Sequence, residues 1–425
     1  MTMLDDVLTF PRPSAAELGR RAFALLAGLN RFSDEPGKLT RLYLSPAHRQ
    51  AAEHVLGLMR GLGLAAHIDA AGSVMGRIEG REPGLPALMI GSHIDTVRDA
   101  GAYDGNLGVV AGLLITETLA PARMSLPFAL EVAAFGDEEN VRFPTNISTS
   151  AALSSGYEPA WLDGRDADGV LLRDALAAFG GNPDGVFALK REPGSILGYL
   201  ELHIEQGPVL EAHGEPVGIV TAINAQIRAR VRVVGEAGHA GTVPMSLRKD
   251  ALAAAAEMAL ALEALAKSHP DGVGTVGVFR PEPGATNVVP GAASFSVDFR
   301  APLDETVARM DEAMEQRFRE IAARRGVELT IERYAQLDAT PMAENLREAL
   351  RRGVARTGAN VEARMLPSGA GHDAMTMARA FPSAMLFVRN EKGISHSPLE
   401  AMTEEDAGIA IKAMLETVLD LAAKG

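Results

Sequence analysis

The fold of this chain is decided by the stretch GSHIDTVRDAGAYDG, residues 91–105. An apolar run over residues 85–90 precedes it, and such a run is typical of a buried strand in a parallel sheet. Open α/β sheets bind their ligands beyond the carboxyl ends of these strands. We therefore expect His93 and Asp104 to lie at a ligand-binding edge, followed by a buried helix over residues 106–119.

The polar side chains of this stretch suit a metal site. His93 offers an imidazole nitrogen, and the two oxygens of Asp104 are enough to bridge two metal ions. Asp95 can accept the second ring N–H of His93 and so fix its tautomer. The alternative interpretation is a surface turn with unrelated polar residues, and the rest of the sequence argues against it.

Composition narrows the class of protein. The 425 residues predict about two or three domains, and an apolar fraction of 47% is that of a globular protein. The formal charge of −14 argues against nucleic acid or an anionic membrane as a partner. Because the sequence contains no cysteine, any metal has to be held by histidine, aspartate and glutamate.

The sequence predicts a cytoplasmic protein. Residues 1–6 are acidic and do not have the basic segment and apolar core of a secretory leader. No apolar run is expected to approach the ~20 residues that a membrane span requires. We therefore expect neither secretion nor a membrane partner.

Hydrophobic patterning predicts an α/β protein in which one domain interrupts another. Over residues 1–224, apolar strands alternate with helices, which predicts a catalytic domain with a central, mostly parallel sheet flanked by helices. Residues 335–425 return to this domain. The inserted residues, 225–334, follow the order β-α-β-β-α-β of a ferredoxin-like unit. Its expected elements are strand 226–234, helix 246–267, strands 272–280 and 292–300, helix 304–325 and strand 327–334.

The expected metal ligands are spread along the chain, near predicted strand ends or in loops. Two metal ions that share one aspartate need about five nitrogen and oxygen donors. We expect one ion to be bound by His93, His203 and Asp104, and the other by Glu139, His396 and Asp104. These five residues therefore predict a dinuclear centre.

Glu138 lies next to an expected ligand without being one, so it is the natural general base. A single histidine in a sequence is more often structural than a metal ligand, and five others have no acidic partner in a strand-end loop. We expect these five to be solvated: His48, His54, His67, His213 and His269.

Seven ordered motifs resemble those of the hydantoinase/carbamoylase amidases, which belong to the dinuclear metallopeptidases related to aminoacylase and glutamate carboxypeptidase. The resemblance covers nearly the whole chain from about residue 41. The motifs are His93-x-Asp95, Asp104-Gly105, Asp137-Glu138-Glu139, Leu202-His203-Ile204-Glu205-Gln206-Gly207, Gly238-His239-Ala240-Gly241, Gly369-Ala370-Gly371-His372-Asp373-Ala374 and Ile394-Ser395-His396-Ser397.

The resemblance implies the same five ligands, Glu138 as base and two divalent metal ions per subunit, zinc or manganese, with cobalt or nickel also suited to these donors. It implies a homodimer formed through the inserted domain, which would act as a lid and lend His239 to the neighbouring active site as a catalytic donor. It also implies substrate contacts from Gln206, Gln226, Asn287, Arg300, Gly369, Gly371 and His372.

The sequence departs from the family pattern at two positions. The family usually has a glycine after the two glutamates and a Gly-Ser pair further on, where this chain has Asn140 and Thr149-Ser150. Asn140 directly follows an expected ligand, so it could shift Glu139 or narrow the pocket. The departure leaves the exact substrate open.

The resemblance implies hydrolysis of a ureido group, and the finer agreement of residues 91–105, 238–246 and 368–375 favours allantoate as the substrate. The products would be ureidoglycine, carbon dioxide and ammonia. The first alternatives are an N-carbamoyl-L-amino-acid hydrolase and a β-ureidopropionase. A dipeptidase or aminoacylase is more remote, because such enzymes usually have a carboxylate in place of His203. A catalytically inactive ligand-binding protein is the non-enzyme alternative, against which the retention of all five ligands and Glu138 argues.

Overall fold

The computed structural model describes residues 12–359 and 362–424, so the acidic segment 1–6 lies outside the described residues. The chain divides into two compact units. One comprises the chain up to Thr221, Met342–Leu366 and the residues from Gly371 onward, and the other comprises Ala222–Pro341 and Pro367–Ala370. The role of the inserted segment 225–334 as a lid and dimerisation domain stays a prediction.

The strands of the described residues are β1 (Ala65–Ile68), β2 (Val74–Ile78), β3 (Ala87–His93), β4 (Ala129–Phe135), β5 (Ile196–Ile204), β6 (Val217–Ile223), β7 (Ala225–Val234), β8 (Gly238–His239), β9 (Val273–Thr275), β10 (Phe279–Glu282), β11 (Val288–Val289), β12 (Ala292–Ala301), β13 (Glu328–Leu337), β14 (Thr340–Pro341), β15 (Arg364–Ser368) and β16 (Ser383–Val388). The α-helices are α1 (Ala15–Asn30), α2 (Pro46–Gly61), α3 (Asn106–Leu119), α4 (Ser148–Leu153), α5 (Leu172–Phe179), α6 (Val209–His213), α7 (Ala251–Lys267), α8 (Asp304–Arg325), α9 (Glu344–Ala355), α10 (Asp373–Met377) and α11 (Glu404–Ala422).

The sheet of the first unit has the strand order β1-β2-β4-β3-β5-β16-β6. Its four central strands, β4, β3, β5 and β16, are parallel, whereas β1 and β2 on one side and β6 on the other pair antiparallel. The sheet is therefore mixed, with the expected parallel arrangement at its centre. Because β3, β4 and β5 are parallel, their carboxyl ends meet at one edge, where the site predicted from the sequence begins.

Helix α3 begins immediately beyond Asp104, and its start depends on a glycine. Gly105 has a φ of +66°, a conformation that L side chains rarely adopt. A Cβ at this position would lie 2.4 Å from the ring of His93. Glycine therefore allows the helix to start directly against the histidine.

Among the described residues, one helical stretch, Asn106–Ser125, has the length and mean hydropathy (1.3) of a membrane-crossing helix. The expectation that no run approaches this length was wrong. The stretch consists of α3 and a following 3₁₀ turn, and 61% of it is buried inside the fold. Helix α3 packs against β3, β4 and α1, so its apolar surface forms part of the core.

The second unit has an antiparallel sheet in the order β10-β12-β7-β13, with β9 also pairing with β12. Alternate residues of β12, among them Phe295 and Phe299, are buried against helices α7 and α8. Alternation of this kind places the helices on one face of the sheet. The order β-α-β-β-α-β is the one that the sequence predicts.

Two elements of this unit differ from the prediction. The strand expected over 272–280 is two strands, β9 and β10, because the N–H of Val278 donates to the side-chain Oγ of Ser296 and interrupts the regular ladder. The helix expected from 246 begins at Ala251, where the carboxylate of Asp250 accepts the N–H of Ala253 and caps it.

Candidate metal centre

His93, the last residue of β3, is buried and fixed in orientation. Its Nδ1 lies 3.0 Å from the backbone carbonyl oxygen of Asp95, which can only accept, so Nδ1 carries the proton. The carboxylate of Asp95, which was expected to accept this N–H, is further away at 3.6 Å. It accepts instead the backbone N–H groups of Glu138 and Glu139, each at 3.2 Å. Asp95 thus links the loop after β3 to the loop after β4.

His203, on β5, is oriented in the same way. Its Nδ1 lies 2.9 Å from the backbone carbonyl of Ile204, which turns Nε2 towards Asp104. The distance from His203 Nε2 to Asp104 Oδ1 is 3.1 Å, and from His93 Nε2 to the same oxygen it is 3.5 Å. The structure therefore brings together His93, His203 and Asp104, the first expected ligand group.

The second expected group also converges on Asp104. Nε2 of His396 lies 3.4 Å from Asp104 Oδ2 and 3.4 Å from Glu139 Oε2. The side chain of His396 is 52% exposed, whereas the other expected ligands are largely covered. Asp104 thus directs one oxygen to each group, as a bridging carboxylate requires.

The electrostatics of the site fit divalent cations. Burial, and less strongly the nearby charge of Asp104, raise the pKa of Glu139 to about 8 against the opposing charge of His93. Burial would also raise the pKa of Asp104, but the nearby rings of His203 and His93, as positive charges, hold it well below its usual range. His93 Nε2 has no hydrogen-bond partner among the described residues. Buried carboxylates beside imidazole lone pairs suit zinc, manganese, cobalt or nickel.

Gln206 and Ser395 both contact the shared aspartate. Gln206 Nε2 donates to Asp104 Oδ2 at 2.8 Å, and Ser395 Oγ donates to the same oxygen at 2.6 Å. Ser395 Oγ also lies 3.0 Å from Glu400 Oε2. Glu400 accepts the backbone N–H groups of Tyr103, at 2.7 Å, and Asp104, at 3.2 Å. Glu400 was not predicted from the sequence, because it lies almost 300 residues from the loop whose backbone it binds.

Glu201 is a second site residue that sequence reasoning missed. It is fully buried on β5, accepts the hydroxyl of Ser92 at 2.8 Å and accepts the backbone N–H of Ala374 at 2.9 Å. His372 packs edge-on against His203, with 4.4 Å between the ring centroids. The expected substrate residue His372 therefore lies beside the first ligand group. Gly371 precedes it, and a Cβ there would lie 3.7 Å from Ile147 Cδ1.

Several non-glycine residues of the site have left-handed backbones. The φ angles are +60° at Asp137, +52° at Asn140, +56° at Gln206 and +55° at His396. Such conformations cost free energy and persist where the surrounding structure enforces them, often at functional sites. Sequence patterns do not predict them, because only glycine signals a positive φ clearly.

In the second unit, two expected substrate residues, Gln226 and Arg300, contact a residue that was not predicted, Asp298. Its carboxylate accepts Nε2 of Gln226 at 3.0 Å, and Nε and Nη2 of Arg300, each at 3.0 Å. Nη1 of Arg300 donates to the carbonyl of Gly369 at 2.5 Å. Arg228 donates to Asp298 as well, so two guanidinium groups share one carboxylate.

His239 and Asn287 lie close together through the short pairing of β8 with β11. The N–H of Ala240 donates to the carbonyl of Asn287 at 2.9 Å. Nδ1 of the exposed His239 accepts the N–H of Gly241 at 3.1 Å, so in the neutral ring the proton is on Nε2. His239 can therefore donate a hydrogen bond.

One histidine expected to be solvated is instead in the core. His48 is fully buried, its Nδ1 accepts the N–H of Leu44 at 3.0 Å and its ring stacks on Phe179. Burial, together with the charges of Arg41 and Arg142, lowers its pKa to about 3. The prediction for His48 was wrong, because its position in an amphipathic helix did not reveal which face is buried.

The sequence of this chain is similar to the sequences of known proteins. Residues 89–420 match the model described as peptidase family M20/M25/M40. An N-carbamoyl-L-amino acid amidohydrolase from Geobacillus stearothermophilus is 38% identical over 405 residues, which cover 95% of this chain and 98% of that protein. The allantoate deiminase of Arabidopsis thaliana is 38% identical over 430 residues, which cover 94% and 82%.

Solved structures show the same similarity. An amidase of the hydantoinase/carbamoylase family from Burkholderia multivorans superimposes with a TM-score of 0.89 at 30% sequence identity, covering 95% of this chain and 98% of the other. The Geobacillus and Arabidopsis relatives are equally similar to this chain, each at 38% identity, although their names give different activities. Percentage identity therefore does not distinguish between these two activities.

Proposed function

This chain belongs to the peptidase family M20/M25/M40, and from that premise we propose that it hydrolyses the ureido group of allantoate with two divalent metal ions. The predicted resemblance to hydantoinase/carbamoylase amidases and the α/β metallopeptidase fold are confirmed. The chain is an amidohydrolase of carbamoyl C–N bonds. The observation that carries the proposal is a pair of donor groups sharing Asp104, with Glu138 beside them.

We infer that one metal ion is held by His93, His203 and Asp104, and the other by Asp104, Glu139 and His396. When bound, two such ions lower the pKa of water and polarise a carbonyl group. The chain's own contribution is to fix these ligands: backbone carbonyls set the tautomers of His93 and His203, and Glu400 holds the backbone of Asp104.

Glu138 is the proposed proton carrier. Its Oε2 lies 3.8 Å from His93 Nε2, so the carboxylate lies beside the donor groups without belonging to either. Burial raises its pKa well above the usual range, and the charge of Glu139 adds to this against the opposing charge of His93. Glu138 takes a proton from the attacking water and delivers it to the leaving nitrogen, which departs as ammonia. The carbamate that remains on the other nitrogen then breaks its C–N bond and releases carbon dioxide and the free amine.

Residues of the second unit are proposed to recognise the substrate. Asp298 holds the Nε and Nη2 edge of Arg300, which leaves N–H groups of Nη1 and Nη2 for a substrate carboxylate. Asn287, and Gln206 of the first unit, offer amide oxygens to ureido nitrogens. His239 donates from Nε2 to the oxygen that gains negative charge, and we infer that it does so across a homodimer.

Allantoate is favoured by the motifs around residues 91–105, 238–246 and 368–375. It carries two ureido groups and a carboxylate on one carbon, so one ureido group reacts while the other fills the space of an amino-acid side chain. Water cleaves the reacting group to ureidoglycine, carbon dioxide and ammonia. The second candidate is N-carbamoyl-L-amino-acid hydrolysis, favoured by the similarity over 98% of the Geobacillus enzyme.

The test is a substrate panel on purified, metal-loaded protein: allantoate, N-carbamoyl-L- and D-amino acids, N-carbamoyl-β-alanine and a dipeptide. We expect the highest kcat/KM for allantoate. If an N-carbamoyl-L-amino acid exceeds allantoate by more than about tenfold, or ~1.4 kcal/mol in transition-state binding, the carbamoylase assignment replaces it. A preference for the dipeptide would reject ureido hydrolysis altogether.

A further inference from the structure

The loop Gly136–Glu139 carries the proposed base and one proposed metal ligand, so the position of its backbone matters. Asp95 accepts the N–H groups of Glu138 and Glu139. Three other backbone groups of the loop are bound by side chains from further along the chain: the carbonyl of Glu138, and the N–H and carbonyl of Gly136. These side chains belong to Asn140 and Thr149.

Asn140 joins two turns of the chain. Its Nδ2 donates to the carbonyl oxygen of Glu138 at 2.7 Å, and its Oδ1 accepts the N–H of Ile147 at 2.8 Å. Its φ of +52° is left-handed, a conformation that asparagine tolerates better than most non-glycine residues. The side chain therefore ties the backbone of Glu138 to the start of α4.

The backbone at Ile147, where this connection ends, is strained. Its φ is +50°, which is an outlier for a β-branched residue, and its side chain is buried. The amide of Asn140 satisfies its N–H in that conformation. The next residue, Ser148, donates its hydroxyl to Asp137 Oδ2 and ties α4 to the same loop a second time.

Thr149 is fully buried one residue further on, and it binds Gly136 in both directions. Its Oγ1 accepts the N–H of Gly136 at 3.1 Å and donates to the carbonyl of the same residue. A buried backbone group that loses its hydrogen-bond partner destabilises the fold. Only another hydroxyl could therefore replace that of Thr149 without a loss of stability. Thr149 fixes the beginning of the loop as Asn140 fixes its end.

We propose that Asn140 and Thr149 are positioning residues, which hold the Gly136–Glu139 loop so that Glu138 and Glu139 keep their places at the metal centre. They occupy the two positions where this chain departs from the glycines of related amidases. Where a glycine would leave the backbone conformationally free, their side chains restrain it with hydrogen bonds. The inference rests on the proposed function for its kinetic consequence, but not for its effect on metal binding.

The variants are chosen to remove hydrogen bonds without adding charge. Asn140→Gly keeps the left-handed backbone and deletes both side-chain bonds, and its site is exposed, so the protein is expected to fold. Thr149→Val keeps the shape and deletes the hydroxyl, whereas Thr149→Ser restores it. The matched controls are Thr118→Val, which loses a hydroxyl bond to Leu114 on α3, and Asn182→Gly, which loses a side-chain bond in a surface turn.

The first measurement is metal binding by the purified apoprotein, with Co²⁺ as the probe, by chelator competition and by the visible spectrum of the bound ion. We expect Asn140→Gly and Thr149→Val to weaken binding of one Co²⁺ by about tenfold and to alter its spectrum, as changes in groups that orient ligands do. Thr149→Ser and both controls should bind as the wild type does. Wild-type affinity and spectrum in both Asn140→Gly and Thr149→Val would overturn the proposal.

The second measurement is turnover on the best substrate of the panel. Loss of positioning should lower kcat by about tenfold while KM stays within about twofold, because the base moves and the binding groups do not. A lower melting temperature with unchanged kcat and Co²⁺ affinity would mean that these residues only stabilise the fold. If Thr149→Val does not fold, Asn140→Gly decides alone. If no ureido substrate is turned over, the proposed function fails while the Co²⁺ result still decides this inference.

Discussion

His203 and Asp104 meet through Nε2 and Oδ1 at 3.1 Å, while the other oxygen of Asp104 faces His396 at 3.4 Å. One carboxylate therefore serves both donor groups. Asp104→Ala should lose binding of both metal ions and all measurable turnover, since each site loses a ligand. Metal content per chain, measured by elemental analysis after dialysis, checks this. Asp99→Ala, in the same loop but paired with Lys38 at the surface, is the control that should keep both ions.

Replacing the proposed base should separate metal binding from catalysis. Glu138→Gln keeps the size of the side chain and leaves all five proposed ligands in place, so two metal ions should remain bound. We expect kcat to fall by about 10²–10⁴-fold, because no carboxylate carries the proton. Glu139→Gln should lose metal as well. A Glu138→Gln protein that keeps most of its turnover would show that the base lies elsewhere.

Asp298 should matter for substrate binding through Arg300. Asp298→Asn keeps the shape but weakens the two bonds that hold the Nε and Nη2 edge of the guanidinium. For an anionic substrate we expect KM to rise about tenfold with a smaller change in kcat, because uniform binding is lost. Glu332→Gln, which removes an exposed partner of Arg230 in the same unit, should leave KM unchanged.

The proposed dimer has a direct test by subunit mixing. His239→Ala and Glu138→Gln subunits should each be inactive alone. If His239 acts in the neighbouring active site, mixed dimers contain one site with both residues intact, and part of the activity returns. Sedimentation of differently labelled subunits establishes that mixing occurred. Mixed dimers without any recovery would place His239 in its own subunit's site.

Asp69 predicts a pH dependence of stability away from the site. It accepts the N–H groups of Ala71 and Ser73, yet burial raises its pKa from 3.8 to about 7. A raised pKa stabilises the fold at low pH, and that contribution is lost as pH rises from about 4 to 7. Asp69→Asn stays neutral, so at pH 8 it should unfold with a free energy higher by on the order of 2–4 kcal/mol than the wild type.

The difference should shrink towards zero near pH 4, where the wild-type carboxyl is also neutral. Denaturant unfolding of both proteins at pH 4, 6 and 8 measures it. The exposed Asp168→Asn variant controls for the general effect of removing one negative charge. A constant difference at all three pH values would contradict the assigned pKa of Asp69.

Much of the fold and the centre of the site could be predicted from the sequence, for a physical reason. Parallel strands end at one edge, so the donors that follow β3 and β4, and His203 on β5, had to converge. Glu201 and Glu400 were not predicted, because their partners are backbone groups distant in sequence. The solvent exposure of His48 was predicted wrongly, because a histidine within a helix does not show in the sequence which face of that helix is buried.

The left-handed backbones at Asn140 and Ile147 were equally invisible in the sequence. Asn140 was noted only as a departure from a glycine, and its hydrogen bonds follow from loop geometry that no periodic pattern encodes. The strand break between β9 and β10 has the same origin, a side-chain acceptor that competes with the ladder. Periodic patterns in a sequence do not show where a side chain takes a backbone hydrogen bond from a regular helix or strand.

The central claim is that two metal ions per chain support hydrolysis of a ureido group. The most direct test titrates metal-free protein with Mn²⁺ or Zn²⁺ while bound metal and ammonia release from allantoate are measured on the same samples. We predict that activity rises until about two equivalents are bound and then stays level, as a dinuclear centre requires. Full ammonia release by protein without metal, or with one bound equivalent, would contradict the account.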